Sequence, residues 1–215
     1  MKESIIHRGI EKFKRTFFPL RRYEYLFQTI RDRRCKRIME IGTWTGKRAE
    51  QMIEAAGNYH PSANIFYYGF DLFELLTEKL NEEEFSKRPP TEAEVKERLF
   101  KTGANINLYK GFTHETMPPL VGRLPKMGLI YIDGGHKVET IENDWKYSKE
   151  FMDGNTVVIF DDYYHKYDSV GCKKVVEKID KEKYNVEILP RRDRVITPWW
   201  KLLEINFVRV TKKRQ

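Results

Sequence analysis

The order of apolar runs along the 215-residue chain predicts an α/β protein with a doubly wound, largely parallel sheet. Short runs rich in β-branched and aromatic residues alternate with amphipathic helical runs, a pattern typical of consecutive βαβ units. The last two β-rich runs have no clear helix between them, which predicts an antiparallel hairpin that closes the sheet. Apolar residues make up 40% of the composition, enough for a sizeable core in one domain.

The N-terminal segment, residues 1–34, mixes basic and aromatic side chains. It is predicted to form amphipathic helical pieces on either side of Pro19. We expect this segment to dock on the domain formed by residues 35–215. Binding to a membrane surface and pairing of two copies in a homo-oligomer are the alternatives. The start, MKESIIHRGIEKFKR, lacks the uninterrupted apolar stretch and cleavage site of a secretory signal. No apolar run reaches the roughly 20 residues of a membrane span.

The first three strands are predicted over residues 35–41, 65–71 and 106–109, with a helix over residues 47–56 after the first. Residues 72–103 are longer than an ordinary crossover and rich in Glu and Lys.

Two adjacent prolines, Pro89 and Pro90, interrupt this stretch, and the spacing of Thr91 and Glu94 predicts a capping box at the start of a helix that Gly103 ends. We therefore expect an insertion of two helical segments over the strand ends. A lid and a solvated charged helix are the two interpretations.

The fourth and fifth strands are predicted over residues 128–133 and 156–161. Between them, Val138, Ile141, Trp145 and Ser148 recur at helical spacing. The closing hairpin is predicted from strands over residues 184–189 and 203–210.

The turn after the first strand has the composition of a nucleotide-binding loop. Gly42 and Gly46 allow close approach of the backbone to a ligand, and the following helix begins with unsatisfied N–H groups. Asp71 ends the second strand, where a carboxylate can accept hydrogen bonds from ribose hydroxyls. Glu40 precedes the turn, where its carboxylate could face an ammonium group. An amino-acid-bearing nucleoside gains from that charge, whereas a pyrophosphate does not.

These residues resemble those of the class I S-adenosylmethionine-dependent methyltransferases. EIGTWTG resembles their first motif, ExGxxxG, and GFD the acidic end of their second strand. The resemblance covers roughly residues 34–210 and implies a Rossmann-like seven-stranded sheet, order 3-2-1-4-5-7-6, with the last strand antiparallel. Trp44 stands where many relatives have a third glycine, and GTWTG resembles a variant found in some antibiotic-pathway O-methyltransferases.

The resemblance also implies which residues bind S-adenosylmethionine. Phe112 and Thr113, which follow the third strand, occupy the place where the family usually cradles adenine, although a plain turn is the alternative. The implied cofactor-binding residues are Glu40, Gly42, Thr43, Trp44, Gly46, Asp71, Phe112, Thr113 and Asp133.

Three carboxylates follow the fourth and fifth strands: Asp133 in YIDGGH, and Asp161 and Asp162 in VVIFDDYYH. Neighbouring parallel strands deliver their carboxyl ends to one sheet edge, so these groups would repel one another without a cation or protons. Hard oxygen ligands favour Mg²⁺, or Mn²⁺ as a substitute. The alternative is that one aspartate caps a helix or turn while the others face solvent.

This arrangement resembles the metal-dependent O-methyltransferases that modify hydroxyls of macrolide sugars and phenols. The resemblance implies that Asp133, Asp161 and Asp162 hold the metal, which would bind two adjacent oxygens of a small-molecule acceptor. The Asp-Asp pair is closer to the sugar-modifying branch than to the catechol branch.

The expected catalytic residues are Asp133, His136 and His165. Either histidine could be the base, a hydrogen-bond partner of the metal ligands, or a polar loop residue. The tyrosines and tryptophans Tyr163, Tyr164, Trp199 and Trp200 could wall the acceptor or pack in the core.

The net charge of +8 raises the alternative of an RNA or other polyanionic acceptor. Residues 1–37 hold 12 Lys and Arg against 4 Asp and Glu, and residues 187–215 hold 8 against 3, so the region between them is acidic. A body that grips a polyanion in its main cleft would be basic there. No Asn/Asp-Pro-Pro-aromatic signature of amino-group methylation follows the fourth strand.

A catalytically idle Rossmann-like binding module is another alternative, and an NAD enzyme is disfavoured because GxGxxG is absent. Cys35 and Cys172 offer no disulfide framework or zinc spacing, so we expect two thiols in a reducing cytoplasm.

Overall fold

Seven strands form one mixed sheet at the centre of the protein. The computed structural model describes residues 22–83, 89–196 and 202–214. The strands are β1 Arg37–Ile41, β2 Phe66–Asp71, β3 Asn105–Lys110, β4 Leu129–Ile132, β5 Val157–Tyr164, β6 Tyr184–Ile196 and β7 Leu202–Lys212. Their order is β3-β2-β1-β4-β5-β7-β6. β1 to β5 run parallel, and β7 is antiparallel to both β5 and β6. The predicted fold class and strand order are confirmed.

The helices lie on both faces of this sheet. They are α1 Glu24–Arg33, α2 Lys47–Gly57, α3 Glu78–Glu83, α4 Glu92–Phe100, α5 Thr113–Thr116, α6 Val138–Ser148 and α7 Lys173–Glu177. α5 and α7 were not predicted, because four and five residues are too few for a helical period to show. Within the described ranges, every helix is too short or too polar to cross a bilayer.

Alternate residues of each central strand enter two separate apolar clusters, as the two-residue period of a strand requires. On one face, Met39 and Ile132 pack against α6 and α7 through side chains such as Trp145. On the other face, Ile38 and Tyr131 pack against α1, α2 and α4. Both sheet faces are therefore covered, which is the usual condition of a parallel sheet.

Helix α1 docks on the sheet through its apolar stripe. Leu26 and Ile30 are fully buried among residues of β4, β5 and β7. This is the docking expected for the N-terminal segment. The helical piece expected before Pro19, and the tryptophans Trp199 and Trp200, lie outside the described residues.

The insertion after β2 contains two helices, α3 and α4, as the sequence predicts. The Thr91 hydroxyl oxygen accepts the backbone N–H of Glu94 at 3.3 Å, and the Glu94 carboxylate accepts the N–H of Thr91 at 2.8 Å. This capping box satisfies donors that the first helical turn leaves unpaired. Val95 and Leu99 then pack into the same cluster as α2, so the cap fixes one end of the insertion on the body of the protein.

Replacing Thr91 tests the contribution of this cap. We expect Thr91→Ala to lower the free energy of unfolding by about 1 kcal/mol, because the first turn loses a side-chain acceptor. Urea denaturation followed by circular dichroism measures the change. Glu97→Ala is the control, since among the described residues Glu97 makes only an exposed pair with Lys101, which contributes about 0.5 kcal/mol or less. Equal effects of the two substitutions would contradict the assignment.

Candidate active site

A cleft of about 380 Å³ opens at the carboxyl ends of the parallel strands, the edge at which α/β proteins bind ligands. Six of the residues implied by the resemblance line it: Gly42, Trp44, Asp71, Phe112, Thr113 and Asp133. The insertion adds an apolar wall that the sequence did not specify, formed by Leu72, Leu76, Leu80 and Pro89. The cleft therefore joins the predicted loop residues with one side of the insertion.

The glycine turn after β1 is held by the backbone that follows β4. Gly42 has a φ of +91°, and a Cβ atom there would lie 2.0 Å from the carbonyl oxygen of Asp133. Glycine is therefore required at this position by a protein contact as well as by its conformation. Trp44 takes a left-handed φ of +45°, a conformation that glycine adopts more readily than other residues. Its side chain is 43% exposed and faces the cleft.

Asp71 connects this turn to the end of β2. Its two carboxylate oxygens accept the backbone N–H groups of Trp44 and Phe73, each at 2.7 Å. Burial raises the pKa of Asp71, and these hydrogen bonds oppose that rise. Asp71 also lines the cleft, so its carboxylate can meet a ligand bound there.

Glu40 is buried behind the turn and does not line the cleft as it stands. Its Oε2 accepts the hydroxyl of Tyr67, whose oxygen lies 3.2 Å from the Thr43 hydroxyl. Its Oε1 is buried and has no hydrogen-bond partner among the described residues. Burial raises the pKa of Glu40 to about 8. Thr43 and Gly46 likewise lie outside the cleft lining, so they support the turn from behind.

Asp133, Asp161 and Asp162 form an acidic cluster at the adjoining part of the sheet edge. One carboxylate oxygen of each lies within 4.8 Å of the other two. Consecutive strand residues normally point to opposite faces, so two adjacent ligands need a local irregularity. The β5–β7 register shifts between Phe160 and Tyr163, and Asp162 has a φ of +58°. This bulge brings both side chains to the same site.

The hydroxyl of Tyr131 lies inside the cluster, 2.8 Å from Asp133 Oδ2 and 2.7 Å from Asp161 Oδ2. One hydroxyl proton serves one acceptor, so one of these oxygens needs a proton or a cation. Burial and the neighbouring negative charges raise the pKa of Asp133 well above its usual range. The same two causes raise the pKa of Asp161 to about 6. The cluster is thus short of positive charge.

The structure brings only one of the two candidate histidines to this cluster. His136 Nε2 lies 3.0 Å from Asp162 Oδ2. Burial raises the pKa of Asp162, but the hydrogen bond and charge of His136 and the Tyr164 hydroxyl outweigh it, and the net shift is downward. His165 is exposed, with its Nε2 3.2 Å from Asn206 Oδ1 and its ring against Tyr163.

The aromatic residues considered as a substrate wall have other contacts in the structure. Tyr163 is buried in the core cluster that contains Trp145, and Tyr164 is buried beside Asp162.

Cys35 and Cys172 are both free, buried thiols, in agreement with the sequence prediction. The backbone N–H of Cys172 donates to the carbonyl of Asp162 at 3.1 Å and so supports the bulge.

One residue at the cluster was missed by sequence reasoning. Arg22 donates from Nη1 to Asp161 Oδ1, and its Nε lies 3.0 Å from Asp193 Oδ2. Nothing in the sequence distinguishes Arg22 from the other basic residues of the N-terminal segment, because the contact spans 139 residues and depends on where α1 docks.

A second cleft, of about 520 Å³, is basic but distant from the cluster. Arg33, Lys212, Lys213 and Arg214 contribute its cationic side chains. It lies beside Thr156, at the opposite end of β5 from Asp161. The basic groove described by the structure is therefore separate from the candidate active site, which does not favour a polyanionic acceptor.

The contact of Gly42 with the Asp133 carbonyl gives a direct test of the turn. We expect Gly42→Ala to lower the free energy of unfolding by roughly 3 kcal/mol or more, because the new methyl group overlaps backbone at a positive φ. Gly57→Ala is the matched control, since nothing lies within 4 Å of its Cβ position and alanine favours the helix. Both variants are compared with wild type by urea denaturation. Wild-type stability of both would contradict the role of the Gly42 contact.

The raised pKa of Glu40 predicts a pH-dependent stability. A carboxyl whose folded pKa exceeds its unfolded value stabilises the protein at low pH, and this contribution is lost as pH rises. Between about pH 5 and 8, the free energy of unfolding of the wild type should fall by up to about 1.4 kcal/mol per pH unit relative to that of Glu40→Gln. Denaturant titrations at several pH values measure the difference. A constant difference across this range would contradict a buried, protonated Glu40.

A family model and several solved structures match the chain. A family model described as a methyltransferase domain matches residues 39–163, more than half of the chain. No curated protein sequence matches the chain. Among solved structures, the O-methyltransferase TomG from Streptomyces achromogenes, in complex with S-adenosylmethionine, has 12% identity and a TM-score of 0.60 over 89% of this chain and 79% of its own.

Two further structures share the fold. A putative O-methyltransferase from Klebsiella pneumoniae has 14% identity and a TM-score of 0.63 over 92% of this chain and 83% of its own. The O-methyltransferase NovP has 16% identity and a TM-score of 0.62 over 90% of this chain and 80% of its own. The family match, the sheet order and the loop after β1 agree, and the chain belongs to the methyltransferase-domain family, the class I S-adenosylmethionine-dependent methyltransferases that the sequence predicted.

Proposed function

We propose that the protein is a divalent-metal-dependent O-methyltransferase that acts on a hydroxyl of a small molecule, such as a sugar or a phenol. The main support for the proposal is that Asp133 both lines the cleft and belongs to the acidic cluster. A methyl donor in the cleft and an acceptor at the cluster would therefore meet at this residue. Bound there, S-adenosylmethionine supplies the methyl group and Mg²⁺ or Mn²⁺ lowers the pKa of the acceptor hydroxyl.

The cleft residues fit S-adenosylmethionine at both ends. The Asp71 carboxylate lines the cleft, where ribose hydroxyls could donate to it. Phe112 and Thr113 line the same cleft and would contact the adenine, and the Thr113 hydroxyl is fixed by donating to Asp144 Oδ1 at 2.6 Å. At the other end, the buried Oε1 of Glu40 lacks a partner among the described residues. An ammonium group that approached the turn would supply one.

The donor set of the acidic cluster fits Mg²⁺ or Mn²⁺. It consists of hard carboxylate oxygens, and the two free cysteines make no part of it. The shared Tyr131 hydroxyl leaves Asp133 or Asp161 in need of positive charge. A divalent cation satisfies that need without protonating a buried carboxylate.

His136 is the better placed of the two candidate bases. Its 3.0 Å contact with Asp162 fixes the ring beside the cluster, whereas the contacts of His165 are with Asn206 and Tyr163. In the proposed transfer, the methyl group would pass from the sulfonium of S-adenosylmethionine to the acceptor oxygen, leaving S-adenosylhomocysteine, and His136 in its neutral form would take the hydroxyl proton.

Two observations support O-methylation of a small molecule: the descriptions of structurally similar proteins and the distribution of charge around the cluster. TomG and NovP are described as O-methyltransferases, and TomG as a participant in tomaymycin synthesis. The cluster is acidic, and the basic cleft with Lys212 and Arg214 lies at the other end of β5. These observations favour a compact hydroxyl acceptor over RNA.

Calorimetry tests the cofactor and the metal separately. We expect S-adenosylhomocysteine to bind the wild-type protein in EDTA, and Mn²⁺ to bind in a separate titration. Asp161→Ala should bind Mn²⁺ at least about tenfold more weakly than wild type, because one ligand is removed. Its affinity for S-adenosylhomocysteine should change by less than about threefold. Asp168→Ala is the control, since Asp168 is exposed and pairs with Lys173.

Activity completes this test. A panel of catechols and pyranosides, assayed with methyl-labelled S-adenosylmethionine, should include an acceptor whose methylation EDTA abolishes. Failure of both S-adenosylmethionine and S-adenosylhomocysteine to bind would contradict the cofactor assignment. Methylation that persists in EDTA would contradict the metal.

A further inference from the structure

Arg22 is buried at the acidic cluster to a degree unusual for an arginine, with 6% of its surface exposed. It comes just before α1, in the basic N-terminal part of the chain. Its Nη2 donates to the Tyr23 hydroxyl at 2.9 Å, and its guanidinium carbon lies 4.7 and 5.1 Å from the ring centres of Tyr23 and Phe207. The side chain is therefore held in a built pocket.

The charged end of Arg22 reaches the oxygens that would hold a metal. Nη1 donates to Asp161 Oδ1 and lies 4.0 Å from Asp162 Oδ1. A guanidinium in that position occupies lone pairs and the space between two of the three carboxylates. A cation that bound all three aspartates would have to share Asp161 with Arg22 or displace it.

Arg22 also pairs with a second carboxylate, outside the cluster. Nε lies 3.0 Å from Oδ2 of Asp193 on β6, and the Asp193 side chain is 32% exposed. Because Arg22 contacts Asp161 and Asp193 at the same time, it could give up the Asp161 contact and still remain paired.

We propose that Arg22 is a built-in counter-cation of the acidic cluster, which competes with the divalent metal for Asp161 and keeps only its pair with Asp193 when the metal binds. The inference rests on the proposed metal site. It gives a specific role to one of the N-terminal basic residues: Arg22 neutralises part of the cluster when the metal is absent and weakens metal binding when it is present. Both the occupied oxygen and the added positive charge act in this direction.

Metal affinity of the full-length protein tests the competition without an acceptor. Electron paramagnetic resonance of free Mn²⁺ gives the dissociation constant for each variant. We expect Arg22→Leu to bind Mn²⁺ at least about tenfold more tightly than wild type, because a positive charge near the ligands is removed. Arg22→Lys, which keeps the charge, should stay closer to wild type.

Arg31→Leu is the matched control, since Arg31 is on α1 and pairs only at 3.6 Å with Glu24 in the described structure. Its Mn²⁺ affinity should equal that of wild type. Thermal unfolding of every variant, with and without Mn²⁺, identifies any general folding defect.

Asp193→Asn keeps the test decisive if Arg22→Leu does not fold. Without the Asp193 carboxylate, Arg22 would have no carboxylate outside the cluster to remain paired with on leaving Asp161, so Mn²⁺ binding should weaken severalfold. In the double variant Arg22→Leu/Asp193→Asn, the Asp193 substitution should have a smaller effect, because its action passes largely through Arg22.

The outcomes separate this inference from the proposed function. Equal or weaker Mn²⁺ binding by Arg22→Leu would overturn the competition and leave the metal site in place. For a misfolded Arg22→Leu, unchanged or tighter binding by Asp193→Asn would overturn it. Absence of Mn²⁺ binding in every variant would overturn the metal site and the inference together.

Discussion

The crowding of three carboxylates at one sheet edge is the constraint on which the rest of the site depends. Asp133, Asp161 and Asp162 place an oxygen each within 4.8 Å of the others, and like charges at that distance require a compensating proton or cation. The surrounding residues meet part of this requirement in different ways. Tyr131 shares its hydroxyl, His136 pairs with Asp162, and Arg22 enters from the N-terminal segment. The site is organised around its need for positive charge.

The same edge joins the acidic cluster to the cleft. The Asp133 side chain belongs to the cluster, while its backbone carbonyl packs against Gly42 in the turn after β1. Any shift of the turn would therefore move a cluster residue. This backbone contact gives a physical reason for the proximity of the proposed cofactor and metal sites, and proximity of donor and acceptor is what methyl transfer requires.

Much of the fold could be predicted because hydrophobic period and chain order are local signals. The strands, the capping box of Thr91 and the sheet-edge position of Asp133 and Asp161 follow from them. The approach of Arg22 depends on how α1 docks. The position of the Asp161 and Asp162 side chains at one site depends on a shift in strand register. The reason for Gly42 also differed, because a positive φ and a contact with the Asp133 backbone require glycine there, in addition to the close approach of a ligand that the sequence predicts. Tertiary contacts decided all three.

Crystallography with anomalous scattering from Mn²⁺, on crystals grown with S-adenosylhomocysteine, would show whether the three carboxylates hold a metal beside the cofactor cleft. We expect one strong peak in contact with Asp133, Asp161 and Asp162. We also expect S-adenosylhomocysteine in the cleft between Asp71 and Gly42, with Arg22 paired to Asp193 and no longer to Asp161. A cluster without a peak, or a peak elsewhere with Arg22 still on Asp161, would contradict these expectations.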